Sequence, residues 1–507
     1  MRLPHFHLNE SIHSDFETID LGDQRLVSRF FIVLRRMMDS PLKSIAAACR
    51  GWAETQAAYR LLNNMKLKPS AMLAPHREAA VLRAGEHRCV AVVQDTTELD
   101  FSTKKKMKGT GPLNSEARRG YLAHTQFIIT EDRLPLGILD THIYARSDED
   151  FRKRKKQAPI ETKESYRWLK GYQQACELAE SLSETEVFSI SDREGDIYEI
   201  YYHWDQLQTS SKPFAHWIIR ANQNRSLVAP DTENQPADEE TDNGAPPAMI
   251  TQKLFEKASS GKELGTIEYE IKSKEYMKKV KGNRSLTVRS SRTVKQRIRS
   301  CKVTPKAPYR KGSKLGKVTF WVICAQEIDP PEGEDPIYWV LLTSKPVNNF
   351  EDAQRILKLY LARWEIEVFH RVLKTGCKVE EIQLKDDPAV LNCIVLYMIV
   401  AWRILYLTWL GRDCPELPCG VFFEEAEWKS ALAVSRLSKP KKNKKNGEQA
   451  KDQQQPDEPT LGEMLRIVAE LGGHLGRKND GPPGAQVIWQ GLSRIRDFAI
   501  AWEAFRN

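Results

Sequence analysis

Residues 89–95 read CVAVVQD, an apolar run that ends on a carboxylate. Apolar residues in unbroken succession, with Val at three of the five positions, read as a strand covered on both faces, and Asp95 stands at its exit. Two more strand-like runs follow, YLAHTQFIITE (121–131) and PLGILDTHIYA (135–145), and the short connection between them suggests a meander. A helical pattern then covers 164–183, VFSISD (187–192) is a fourth strand, a helix opens at REGDIYEIYYHW (193–204), and HWIIRAN (216–222) holds a fifth strand. Three neighbouring strands followed by helix, strand, helix, strand is the order of a ribonuclease-H-like α/β domain.

That order gives two aspartates a common setting. Asp95 ends the first strand and Asp192 the fourth, and adjacent parallel strands would set them side by side. A plainer reading is available for each, since Asp95 and Ser191 open D-x-x-E and S-x-x-E patterns that cap helices. A third carboxylate comes from YLARWEIEVFHRVLK (360–374). Leu357, Leu361, Trp364, Val368 and Val372 recur at helical spacing and predict one apolar stripe, and Tyr360, Arg363, Glu367, His370 and Lys374 fall within an arc of about 80° beside it. Glu365 falls elsewhere, near the far edge of the apolar face. A solvated face would show the same charges without function. With Asp95 and Asp192, however, Glu367 completes a cage of hard oxygen ligands suited to two magnesium ions, or manganese in their place. Such a cage serves in-line displacement at a phosphodiester, and Arg363 and Lys374 would neutralise charge on phosphate oxygens.

The rest of the chain is consistent with a polyanionic partner. The net charge is +9 over 507 residues, but between Ile271 and Lys317 there are 17 Lys or Arg against one acid, Glu275. Nine Cys without paired short spacings suit reduced cytosolic thiols, and Cys414 with Cys419 is weak support for zinc. The N-terminus lacks the apolar core of a secretory signal, which suggests a cytoplasmic protein. AVLNCIVLYMIVAWRILYLTWL (389–410) has the length of a membrane span, but Asn392, Arg403 and the absence of a second span favour a buried helix and no membrane. No G-x-x-x-x-G-K-[ST] occurs, so ATP is not expected.

Three domains are expected. Residues 1–85 form a helical DNA-binding domain, in which two helices meet near Gly51, although a generic helical bundle would read the same way. Residues 86–375 form the ribonuclease-H-like domain, with a basic β-rich insertion at about 248–347 after an acidic loop, 230–247. Residues 376–507 form a helical domain interrupted by a low-complexity tract, 438–460.

LGDQRL (21–26), AYRLL (58–62), DTT (95–97), ETKESYRWL (161–169), DREGDIY (192–198), WVLLTS (339–344) and the spaced set Tyr360, Arg363, Glu367, Lys374 resemble the DDE transposases of the bacterial insertion-sequence-four group, most closely those of the type of the cut-and-paste transposon called number five. The resemblance covers nearly the whole chain. It implies that Asp95, Asp192 and Glu367 are the metal-binding catalytic triad, and that Tyr360, Arg363 and Lys374 contact the transposon end. It further implies that Trp339, 21 residues before Tyr360, receives a base flipped out during hairpin formation. A strand aromatic in the core would also explain Trp339. Arg60 in AYRLL is the candidate end-recognition contact. The implied partners are transposon-end duplex and target DNA, and the implied assembly is a homodimer in a synaptic complex, joined through C-terminal helices. Two other classes use parts of the same pattern: a ribonuclease-H-like nuclease or resolvase, and a non-catalytic, domesticated DNA-binding repressor.

Overall fold

The structure, a computed structural model, describes residues 15–152, 157–228, 252–271, 274–280, 283–311, 314–438, 458–477 and 480–506. The expected acidic loop at 230–247 lies outside the described residues, as do residues 439–457 of the low-complexity tract. The described residues fall into two compact units, one drawn from 1–87, 95–153 and 364–507, the other from 88–94 and 154–363. The strands are β1 (Cys89–Asp100), β2 (Gly111–Pro112), β3 (Arg119–Thr130), β4 (Pro135–Tyr144), β5 (Glu186–Ser191), β6 (His216–Arg220), β7 (Lys262–Ile271), β8 (Lys274–Val280), β9 (Asn283–Arg289), β10 (Arg292–Val303), β11 (Phe320–Glu327) and β12 (Tyr338–Thr343).

In the unit of 88–94 and 154–363, the first half of β1 opens a sheet of order β1-β5-β6-β12-β11-β10-β7. β1, β5 and β6 run parallel, and the strands beyond β6 pair antiparallel. The parallel strands are largely buried and carry their apolar residues at their centres, as strands covered on both faces do. Helix Tyr166–Ser181 lies so close that a Cβ on Gly171 would stand 2.1 Å from the Gln94 amide, so a larger residue would have to displace that side chain, which donates to Ser189 Oγ at 2.8 Å. Tyr201, Trp217 and Phe320 fill the adjoining core, with ring centroids 4.8 and 5.2 Å apart along the chain of contacts.

The other unit carries β2, β3, β4 and the second half of β1, with β3 between β2 and β1 and paired also to β4. Helices Gln24–Asp39, Ile45–Ala48, Trp52–Leu62 and Pro69–Gly85 precede the sheet. Gly51, at φ +87°, makes the sharp junction between the second and third of these. The long apolar helix Asp387–Asp413 is the one helix among the described residues long and apolar enough to cross a membrane, and 83% of its apolar window is buried within the protein. Its polar groups are used inside the fold: Asn392 donates to the carbonyls of Leu62 and Leu67 at 3.0 and 3.4 Å, and the Trp402 indole donates to the Pro135 carbonyl at 2.9 Å. Helices Glu425–Ser438, Leu461–Leu471 and Ala485–Arg506 share a core that includes Trp428, Met464 and Ile488.

Three sequence expectations are corrected. β1 does not end at Asp95 but continues to Asp100, because Thr97 and Leu99 prolong the in-and-out alternation. Asp95 is therefore a mid-strand residue, and its D-x-x-E pattern caps no helix. The helix expected from 193 begins at Tyr198, after a short 3-10 turn, Arg193–Gly195. The stripe read in 357–372 is only partly inward: Leu361 is 43% and Trp364 48% exposed, and Tyr360 and Glu365 are buried instead.

Candidate functional site

In the unit of 88–94 and 154–363, three of the expected site residues come together. Trp339 lies in β12 opposite Ala325 and is half-buried. Its ring meets that of Tyr360 edge-on, with centroids 6.0 Å apart. Tyr360 sits in the last turn of helix Phe350–Ala362, and Arg363, the cap of that helix, places its guanidinium 5.9 Å from the tyrosine ring. Arg220, the last residue of β6, lies close enough to Tyr360 for the two to interact electrostatically. Burial pulls the Arg220 guanidinium below its ordinary range; Tyr360 opposes this, while Arg193 and Arg363 push the same way. The cations are thus crowded together, which favours an anion between them. Arg220 and Arg193 went unassigned in the sequence; that Arg220 closes the strand HWIIR was the available signal.

Asp192 follows β5 and caps the 3-10 turn, its Oδ1 accepting the backbone N–H of Glu194 at 2.8 Å. The capping reading of this stretch is therefore correct in kind, with Asp192 rather than Ser191 as the cap. β1 and β5 pair in register up to Val93 and Ile190.

The remaining expected residues belong to the other unit. Asp95 Oδ1 accepts the N–H of Thr96 at 2.8 Å, and the Thr96 hydroxyl lies 2.9 Å from His124 Nδ1. Glu367 is half-buried on helix Trp364–Arg371, two residues before Phe369, which stacks on Phe127 at 4.8 Å. Lys374 lies in a π turn, Val372–Gly376, with Nζ 3.8 Å from the Glu380 carboxylate, which also accepts the Asp100 N–H at 2.8 Å. π turns are frequent at functional positions. Glu365 is 4% exposed and accepts the Trp409 indole N–H at 3.0 Å; burial holds its carboxyl above the usual range. Arg60 is exposed on helix Trp52–Leu62.

For divalent ions the donor chemistry is suitable, since Asp95, Asp192 and Glu367 are carboxylates and each keeps some exposure. Among the described residues, no three His, Cys, Asp or Glu side chains already stand together as a ligand set. The basic insertion is more nearly neutral than its sequence. Lys295 pairs with Glu268 at 3.2 Å, and Arg297 and Arg299 with Glu263 at 3.2 and 3.8 Å, across the β7–β10 ladder. Arg292 bonds to Glu327 and Glu334.

Comparison with known families identifies both ends of the chain. Residues 9–67 match the family described as transposase DNA-binding, and residues 399–506 match the transposase Tn5 dimerisation domain. The chain therefore carries regions similar to the parts of a Tn5-like transposase that bind DNA and form the dimer. The piggyBac transposase synaptic complex with hairpin DNA is a structural match at 9% identity and a TM-score of 0.34, over 83% of this chain and 74% of that one.

Proposed function

We propose that the chain is a cut-and-paste DNA transposase of the insertion-sequence-four group, acting in the cytoplasm as a homodimer without ATP. It nicks transposon ends, forms a hairpin and joins the ends to target DNA. The observation that carries the mechanistic part is the cluster of Trp339, Tyr360, Arg220 and Arg363: an indole edge meeting a buried tyrosine, with one guanidinium 5.9 Å from the tyrosine ring and a second nearby. An aromatic surface next to clustered cations suits an unstacked base and the phosphate attached to it. The ends of the chain, matched to DNA-binding and dimerisation families, supply the partners that such a cluster needs.

In this reading Asp95, Asp192 and Glu367 are the residues that would hold two divalent ions within a ribonuclease-H-like domain. Magnesium or manganese, when bound, would activate the attacking oxygen and stabilise the leaving one. Tyr360 and Arg363 hold the phosphates of the strand being cut, and Lys374 adds a further cation. Trp339 receives the extruded base. Arg60 contacts the end sequence from the N-terminal helices. Incubating the protein with duplex carrying its own ends, supercoiled plasmid and magnesium tests the proposal. Covalently joined end–plasmid products are expected; cleavage without joining would indicate a nuclease or resolvase, and binding without cleavage a repressor.

A further inference from the structure

The connection between β10 and β11 has no role in the chemistry above. With Lys302, the last but one residue of β10, the run to Lys317 holds five Lys and Arg310 and no acid. It is nonetheless a built surface. The N–H of Lys306 bonds to the Ser226 carbonyl at 2.8 Å, that of Lys311 to the Gln157 carbonyl at 2.9 Å, and the Tyr198 hydroxyl to the Gly316 carbonyl at 2.8 Å. Arg310 turns inward, where its Nε meets the Glu199 carboxylate at 2.6 Å in a largely buried pair.

Because Arg310 is held inward between these anchors, its neighbours point out. Tyr309 is 70% exposed, and Lys302, Lys306 and Lys311 are exposed as well. Pro305 and Pro308 restrict the segment further. An exposed tyrosine fixed among lysines, with little entropy left to lose, is unlike the β7–β10 ladder, where Lys295, Arg297 and Arg299 already have carboxylate partners.

We infer that this loop is a second DNA-contacting surface, which holds duplex DNA by its backbone and without base readout, as target DNA requires. The inference rests on the transposase reading. Lysines are point charges that follow phosphates, and Tyr309 adds a flat apolar face and a hydroxyl for the sugar–phosphate edge. The run has none of the Asn, Gln, Asp or Glu side chains that pair with adenine or cytosine edges.

The test uses the full chain with Lys302, Lys306 and Lys311 changed together to Ala, the same three changed to Arg, and Tyr309→Ala alone. Binding of a short duplex without any end sequence is followed by fluorescence anisotropy over a salt series. Three phosphate contacts at about 0.9 each predict a log–log salt slope lower by about 2–3 in the triple-Ala variant, with affinity down about tenfold or more at moderate salt. The triple-Arg variant should bind as the parent does, Tyr309→Ala should weaken binding with the slope unchanged, and end cleavage should persist in all three. An unchanged slope and affinity in the triple-Ala variant would overturn the inference, as would loss of end cleavage with duplex binding intact. If the parent cleaves no end DNA, the transposase reading fails, and the anisotropy series still decides whether the loop binds duplex.

Discussion

Replacing Trp339 by Ala isolates the step that depends most on the aromatic cluster. Trp339 is half-buried, stands opposite Ala325 across the strand pair and meets Tyr360 edge-on at 6.0 Å, so its loss removes that edge contact together with part of the packing. Contacts of that kind contribute about 0.5–1.5 kcal/mol beyond area burial, which a protein of this size should tolerate. Hairpin formation is affected differently, because the liberated 3′-hydroxyl must reach the opposite strand and the bend unstacks a base. If the indole recovers 1–3 kcal/mol of stacking, its loss slows hairpinning by about five- to hundredfold. First-strand nicking, which needs no extruded base, should stay near the parent rate. Single-turnover kinetics on end-labelled duplex separate nicked from hairpin products, and a fluorescent base analogue near the end reports unstacking. Equal slowing of both steps would refute the reasoning and make Trp339 a packing residue of β12.

Tyr360→Phe removes only the hydroxyl proposed to contact a phosphate of the transposon end, so end-DNA affinity should fall by roughly tenfold, the loss expected of a hydrogen bond to a charged group, as read from a binding titration. Glu365→Ala leaves the half-buried Trp409 indole N–H without its acceptor and empties a buried position, and the melting temperature should drop by a few degrees, in line with a cost of about 1–3 kcal/mol; an unchanged melting curve would contradict the burial of Glu365. Glu427 is pushed up to about 7, first by burial and then by neighbouring Asp39 and Glu424. Its folded-state affinity for a proton exceeds that of the unfolded chain, so it favours folding below about pH 4.5 and progressively loses that contribution as pH rises to about 7; Glu427→Gln should flatten this slope and stabilise the protein by about 2–3 kcal/mol at pH 8, as read from denaturation at several pH values. Arg60→Ala should weaken binding of end duplex by about tenfold and leave binding of unrelated duplex nearly unchanged if Arg60 reads bases.

Much of this organisation was legible because burial leaves a strong pattern. The apolar runs at 89–93 and 187–190 could hardly be anything but covered strands, and Asn392 and Arg403 marked the long helix as one packed in protein. Periodicity was less informative where two inward stripes compete. In 357–372 the apolar spacing favoured Leu361 and Trp364, yet the break at Arg363 turns Tyr360 and Glu365 inward, each with a polar partner that a sequence does not display. Charge counting misled for a similar reason. The window from 271 to 317 excluded Glu263 and Glu268, which pair with its arginines and lysine only because β7 and β10 are neighbours. The end of β1 was misplaced because Asp95, Thr96 and Thr97 have the composition of a cap, and only the pairing of β1 with β3 shows that the chain stays extended. Arg220 could have been suspected from its place at a strand exit, but nothing in the sequence joins it to Tyr360.

The central claim is that Asp95, Asp192 and Glu367 act as one metal-dependent centre for cutting DNA. The most direct measurement is the rate of first-strand nicking of end duplex with magnesium, for Asp95→Asn, Asp192→Asn and Glu367→Gln alongside the parent, with end binding followed in the same samples. Each substitution should abolish nicking, the parent should lose it when magnesium is withheld, and every variant should still bind the ends. Nicking at the parent rate by any one of the three, or by the parent without divalent ions, would contradict the account.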